Sequence, residues 1–139
     1  MPVKDLRTRR DNQQWMLDLA LNMRGRVQNF ERDDWETPKR AHNYRMLPKM
    51  WRQKGEHDER LARQAQAQGF NSSATEHYDH AVEAYRMSQH PIFYDDNPVK
   101  IATYDRLCEM VDRRCEVAPY PIERVEVPFD DGKTISCLL

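Results

Sequence analysis

The apolar residues of this chain change their spacing once, and that change limits the folds open to it. From Trp15 to Cys115 they recur three and four positions apart, the interval that lines one side of an α-helix. From Val125 to Leu139 they alternate with polar residues, as in a half-buried strand. The break falls at Pro119 and Pro121, which mark an extended segment. The pattern predicts a mainly helical chain that runs into a β-hairpin. Composition agrees: four glycines in 139 residues and 32% charged side chains favour helices with solvated faces over a barrel or sandwich. Three tryptophans and six tyrosines are too many for a disordered tail, and 39% hydrophobic residues suffice for one modest core.

Punctuation residues divide the helical part. A first helix is expected over about Asp11–Met23, with Trp15, Leu19 and Met23 on one stripe and a frayed end at Gly25. Beyond Trp35, Thr37 can cap and Pro38 can open a helix that continues from Lys39 to Leu47, where Pro48 should interrupt or kink it. The next helix is expected from about Glu56 to Gln68, with Leu61 and Ala65 buried, and Gly69 as its stop. Ser73 and Glu76 have capping-box spacing ahead of the clearest stripe in the chain, Ala74, Tyr78, Ala81 and Tyr85, which ends near His90 because Pro91 follows. Asn97 and Pro98 open a last helix, with Ile101, Tyr104, Cys108, Val111 and Cys115 predicted to line its buried side. Val125, Val127 and Phe129, a turn at Asp130–Lys133, then Ile135, Cys137 and Leu139 read as a hairpin. Two strands alone are marginal in water, so a sheet that continues beyond this hairpin is the preferred expectation.

Charge and motif content exclude several function classes. A net charge of -1, from 22 basic and 23 acidic residues, gives no basic field for nucleic acid. No apolar run approaches the roughly 20 residues that span a bilayer, and the N-terminus lacks a signal-peptide core, so a cytoplasmic protein without membrane partners is expected. Cys108 and Cys115 stand about 10 Å apart along a helix at its 1.5 Å rise, too far for the roughly 7 Å limit of a disulfide, and reduced thiols are expected. The glycines at 25, 55, 69 and 132 include no pair four apart, which rules out the G-x-S-x-G nucleophile elbow; a G-x-G-x-x-G and a P-loop are missing too. Cys137 sits in a strand without a partnered histidine. The Asp33-Asp34, Asp95-Asp96 and Asp130-Asp131 pairs all read as turn residues. His77 and His80 are i,i+3 neighbours, but one such pair supplies too few ligands for a catalytic zinc, so neither a metal nor a cofactor is expected. The aromatic group Tyr78, Tyr85, Phe93, Tyr94 and Tyr104 reads first as packing; Tyr78, Tyr85, Phe93 and Tyr94 are the candidates for lining a substrate pocket.

One stretch carries a resemblance. Ser73-Ala74, Tyr78, Ala81, Ala84-Tyr85 and Asn97-Pro98 with Lys100 resemble the helical N-terminal region of a group of α/β-hydrolases. This group includes FrsA-like esterases, the dihydroxypseudooxynicotine hydrolase and fungal polyketide-shortening hydrolases. Pro121 to Phe129 and Asp131-Gly132 look like the first strand and turn of their sheet, with Leu138-Leu139 in the second. The likeness covers Gly69–Leu139 well and the region from Trp35 to Ala65 loosely. It implies a helical cap domain over residues 1–118 and the start of an α/β-hydrolase domain over 119–139. In that family the cap covers the active site, and Ser-His-Asp chemistry cleaves an ester or a carbon-carbon bond next to a carbonyl. No position here matches the triad, so the chain is expected to be inactive alone. Its implied partner is the remainder of the hydrolase domain, in a longer polypeptide or a second chain, with homo-oligomerisation also open. The alternative is a helical protein-interaction module without enzymatic role, although no regular repeat supports stacked helix pairs.

Overall fold

The computed structural model describes Ala41 and residues 43–139. The helix expected over 11–23, Trp35 and the Thr37–Pro38 helix start lie outside the described residues. After a 3-10 turn at Tyr44–Met46 come three helices, α1 (Leu47–Ala67), α2 (Asn71–Gln89) and α3 (Pro98–Val117), then strands β1 (Arg124–Pro128) and β2 (Thr134–Leu138). No helix among the described residues is long and apolar enough to cross a membrane.

Helix α1 begins nine residues earlier than the sequence pattern predicts, at Leu47 in place of Glu56. Pro48 lies in its first turn, where a missing backbone donor costs nothing, so this proline starts a helix and does not interrupt one. The buried line runs through Leu47, Trp51, Gly55, Asp58, Glu59, Ala62 and Ala65, and the expected Leu61 is only half-buried. Gly69, at φ +79°, closes α1 in a Schellman arrangement: Phe70 N–H bonds the Ala65 carbonyl at 2.9 Å and Gly69 N–H that of Gln66 at 3.0 Å. The chain therefore turns straight into Asn71. Ser73 and Glu76 end up inside α2, and the capping box expected there does not form, since the cap position is Phe70.

The predicted α2 stripe is buried as expected, with Ala74, Tyr78, Ala81, Ala84, Tyr85 and Ser88 inside. Helix α2 is the middle layer and packs along both α1 and α3, which meet each other through charged side chains. Ala62, Ala65, Ala74 and Ala81 let the helices approach closely, while Tyr78, Tyr85, Met110 and Val117 fill the space between them. A second cluster joins Ala41, Leu47 and Trp51 to Ala84. Ser88 Oγ donates to the Pro48 carbonyl at 2.8 Å, fixing the end of α2 to the start of α1.

Asn97 caps α3 as predicted, its side chain accepting from Val99 N at 2.9 Å and Lys100 N at 3.3 Å. The buried side of α3 differs from the expected one. Thr103, Met110 and Val117 face α2, with Leu107 beside them, whereas Ile101 and Tyr104 are 49% and 56% exposed and Cys108, Val111 and Cys115 are half-buried. Thr103 accounts for the miss. It reads as polar, but its hydroxyl donates to the Val99 carbonyl at 2.6 Å and so can be buried.

The hairpin forms as expected, and its register pairs Val125 with Cys137 and Val127 with Ile135. Asp131 and Gly132 both take positive φ, 54° and 76°, as a primed hairpin turn requires. Glu123 and Leu139 exchange backbone hydrogen bonds of 3.0 and 2.9 Å, so the ladder continues one pair past the strands. Among the described residues the sheet stays two-stranded. Its ties to the helices are polar: Arg124 to Asp112 at 2.5 Å, and Arg114 to the Tyr120 hydroxyl at 3.1 Å just ahead of β1.

Candidate functional site

Buried charge organises the space where the three helices meet. A cavity of about 420 Å³ opens there, lined by Arg52, Glu56 and Glu59 from α1, Tyr85 from α2, and Val99, Ala102, Thr103 and Arg106 from α3. Glu59 is 5% exposed, which no carboxylate tolerates without partners. It has four. Its Oε1 accepts from Arg63 Nε at 2.8 Å and from an Arg106 guanidinium nitrogen, and its Oε2 accepts from Tyr85 Oη and Arg106 Nε, each at 2.9 Å. Glu109 closes the network, accepting from Arg63 at 2.8 Å and Arg106 at 2.5 Å.

Burial alone would raise the Glu59 carboxyl, but the hydrogen bonds from Arg63, Tyr85 and Arg106 outweigh it and hold the group below the usual carboxylate range. Burial, reinforced by the hydrogen bond to the Glu59 carboxylate, pushes the Tyr85 phenol well above its usual value. Glu59 thus stays ionised with its acceptor sites taken, which suits a structural pin and not a general acid. Gly55 makes room for this arrangement: a Cβ there would lie 2.8 Å from Tyr85 Cδ1 and Cε1.

The four aromatic candidates separate into two environments. Tyr78 is fully buried, its hydroxyl donating to Gln66 Oε1 at 2.7 Å. Tyr85 is buried too, with an edge on the cavity. Phe93 is 51% exposed and Tyr94 half-buried, both in the link between α2 and α3, and neither lines the cavity.

A second polar cluster lies between α1 and α2. Asp58, His77 and His80 bring one ligand atom each to within 4.8 Å of the others. The sequence offered only the histidine pair; the third ligand comes from a helix 19 residues upstream of His77, by folding alone. Asp58 and Glu59 were not legible in the sequence because acids are expected on solvated faces. The available signal was their position on the apolar line of α1, with Lys54 and Arg63 four residues away as counter-ions.

The hairpin supplies a third feature. Alternation places Val125, Val127, Phe129, Ile135, Cys137 and Leu139 on one face. Val127, Phe129, Ile135 and Leu139 are 45%, 60%, 47% and 77% exposed. No protein-family model matches the chain, and no curated protein matches it.

Proposed function

We propose that this chain is the lid side of an α/β-hydrolase, with the three helices roofing a substrate pocket and the hairpin opening the catalytic sheet. The observation that carries the reading is the apolar hairpin face, on which Val127, Phe129, Ile135 and Leu139 stay exposed. A two-stranded sheet is marginal by itself, and both of its edges present unpaired backbone groups among the described residues. Further strands on an edge and a helix over the apolar face satisfy both demands, and an α/β-hydrolase sheet provides them. The nucleophilic serine, its histidine and its acid then belong to the rest of that domain, on the same polypeptide or on another. Phe93 and Tyr94 offer accessible rings to the substrate, while Tyr85 and Tyr78 belong to the helical core beneath. The reaction is hydrolysis of an ester, or of a carbon-carbon bond beside a carbonyl, through an acyl-serine. Exclusion of water by the lid strengthens the oxyanion contacts made by the other part.

The test is a native mass measurement on the protein purified from its source, combined with labelling by a fluorophosphonate that reacts with activated serine. The expected species exceeds 16.7 kDa and carries the label on a G-x-S-x-G segment. A stable 16.7 kDa monomer without label refutes the hydrolase reading. It would favour a helical interaction module, for which the exposed Ile101 and Tyr104 of α3 are the docking face.

A further inference from the structure

We infer that Asp58, His77 and His80 form a binding site for one divalent transition-metal ion of the zinc type, bridging α1 and α2. This inference does not depend on the hydrolase reading. Two imidazoles and one carboxylate are the donor set that such ions select, whereas magnesium and calcium require oxygen ligands. His77 and His80 are successive on one side of α2, their ring centroids 6.2 Å apart and their planes at 74°. Asp58 faces them from α1 and is itself 5% exposed.

The spacing suits a small ion. Three atoms no more than 4.8 Å apart share a point at most about 2.8 Å from each, which is 4.8 Å divided by √3. Zinc needs about 2.0–2.2 Å to such nitrogen and oxygen atoms, so side-chain movements of at most about 0.8 Å complete the site. A second observation points to a missing ligand. The Nδ1 atom of His77 is buried from solvent and has no hydrogen-bond partner, a condition that native structures rarely leave in place. A metal bound to this nitrogen, or to the other nitrogen with Nδ1–H turned to a new acceptor, removes the defect. Lys54 Nζ holds Asp58 Oδ2 at 2.8 Å, which orients the carboxylate in the way that hydrogen-bonded partners orient metal ligands. Three protein ligands leave one or more coordination positions for water.

Zinc alone is the probe, titrated into the full chain against a chromophoric chelator, with histidine ring resonances followed by NMR. One equivalent is expected to bind, and His77 and His80 are the only two of the five histidines whose rings shift. His77→Ala, His80→Ala and Asp58→Asn are each expected to weaken binding by at least about tenfold. His57→Ala and His90→Ala should leave it unchanged. No saturable binding in the unaltered chain overturns the inference. Binding that shifts other rings, or that survives all three ligand substitutions, overturns it equally. The NMR readout on the unaltered protein keeps the test valid if a variant fails to fold.

Discussion

Gly55→Ala puts the contact between α1 and α2 to a quantitative test. In the interior of a helix, alanine is favoured over glycine by about 1 kcal/mol, so propensity alone predicts a gain. The structure opposes it. The new Cβ would stand 2.8 Å from two atoms in the middle of the Tyr85 ring edge and 3.1 Å from Cζ. Restoring an ordinary carbon-carbon separation of about 3.6 Å moves the ring by about 0.8 Å. Tyr85 is 1% exposed and its hydroxyl is held by Glu59, so the ring moves only by displacing its core neighbours or straining that bond. Overpacking of this kind costs about 1–3 kcal/mol. A shift of that size also stretches the 2.9 Å hydrogen bond from Tyr85 to Glu59 toward about 3.7 Å, beyond useful range. Losing a bond to a charged acceptor removes about 1.5–3 kcal/mol more. The penalties exceed the gain, and a net loss of about 1.5–5 kcal/mol is expected. Urea unfolding of both proteins reads it as a lower midpoint at unchanged slope. A variant as stable as the parent, or more stable, would refute the packing of Tyr85 over Gly55.

Two further predictions rest on single side chains. The Glu59 carboxyl titrates lower in the folded than in the unfolded chain, so its stabilisation is full above the unfolded value of about 4.3 and is lost as pH falls toward the folded value. Glu59→Gln should flatten the acid limb of stability against pH below about 4.3, and should cost about 2–3 kcal/mol at neutral pH, less than a fully buried pair because both arginines reach solvent; an unchanged acid limb would count against the network. Asn97→Ala removes the cap of α3 and should lower stability by about 1 kcal/mol in thermal or urea unfolding, while Asn97→Asp should not.

What could be read from the sequence was whatever local chemistry decides. The α2 stripe, the Gly69 stop, the Asn97-Pro98 start and the hairpin each depend on residues close together in the chain, and the structure bears them out. Pairing across the fold was hidden. Pro48 could end one helix or begin another, and the burial of Trp51 against Ala84 from α2 goes with the second. The buried side of α3 was misread because Thr103 satisfies its hydroxyl within its own helix and passes for an apolar residue. Glu59 meets Arg106 47 positions away, and Asp58 joins His77 and His80 across a helix interface. No spacing rule within a single helix reveals either cluster. Ring chemistry, the only signal that singles out the aromatic candidates in the sequence, does not distinguish the core position of Tyr78 from the exposed one of Phe93.

The central claim concerns what covers the hairpin, and a photo-crosslinker placed there tests it directly. With benzoylphenylalanine in place of Val127, on the exposed apolar face, irradiation in the source cell should join the chain to a segment outside these 139 residues that belongs to a fluorophosphonate-reactive serine hydrolase. The same group in place of Gln53, exposed on α1, should not give that product. Crosslinks from position 127 that reach only residues of this chain, or a partner with no reactive serine, would contradict the account.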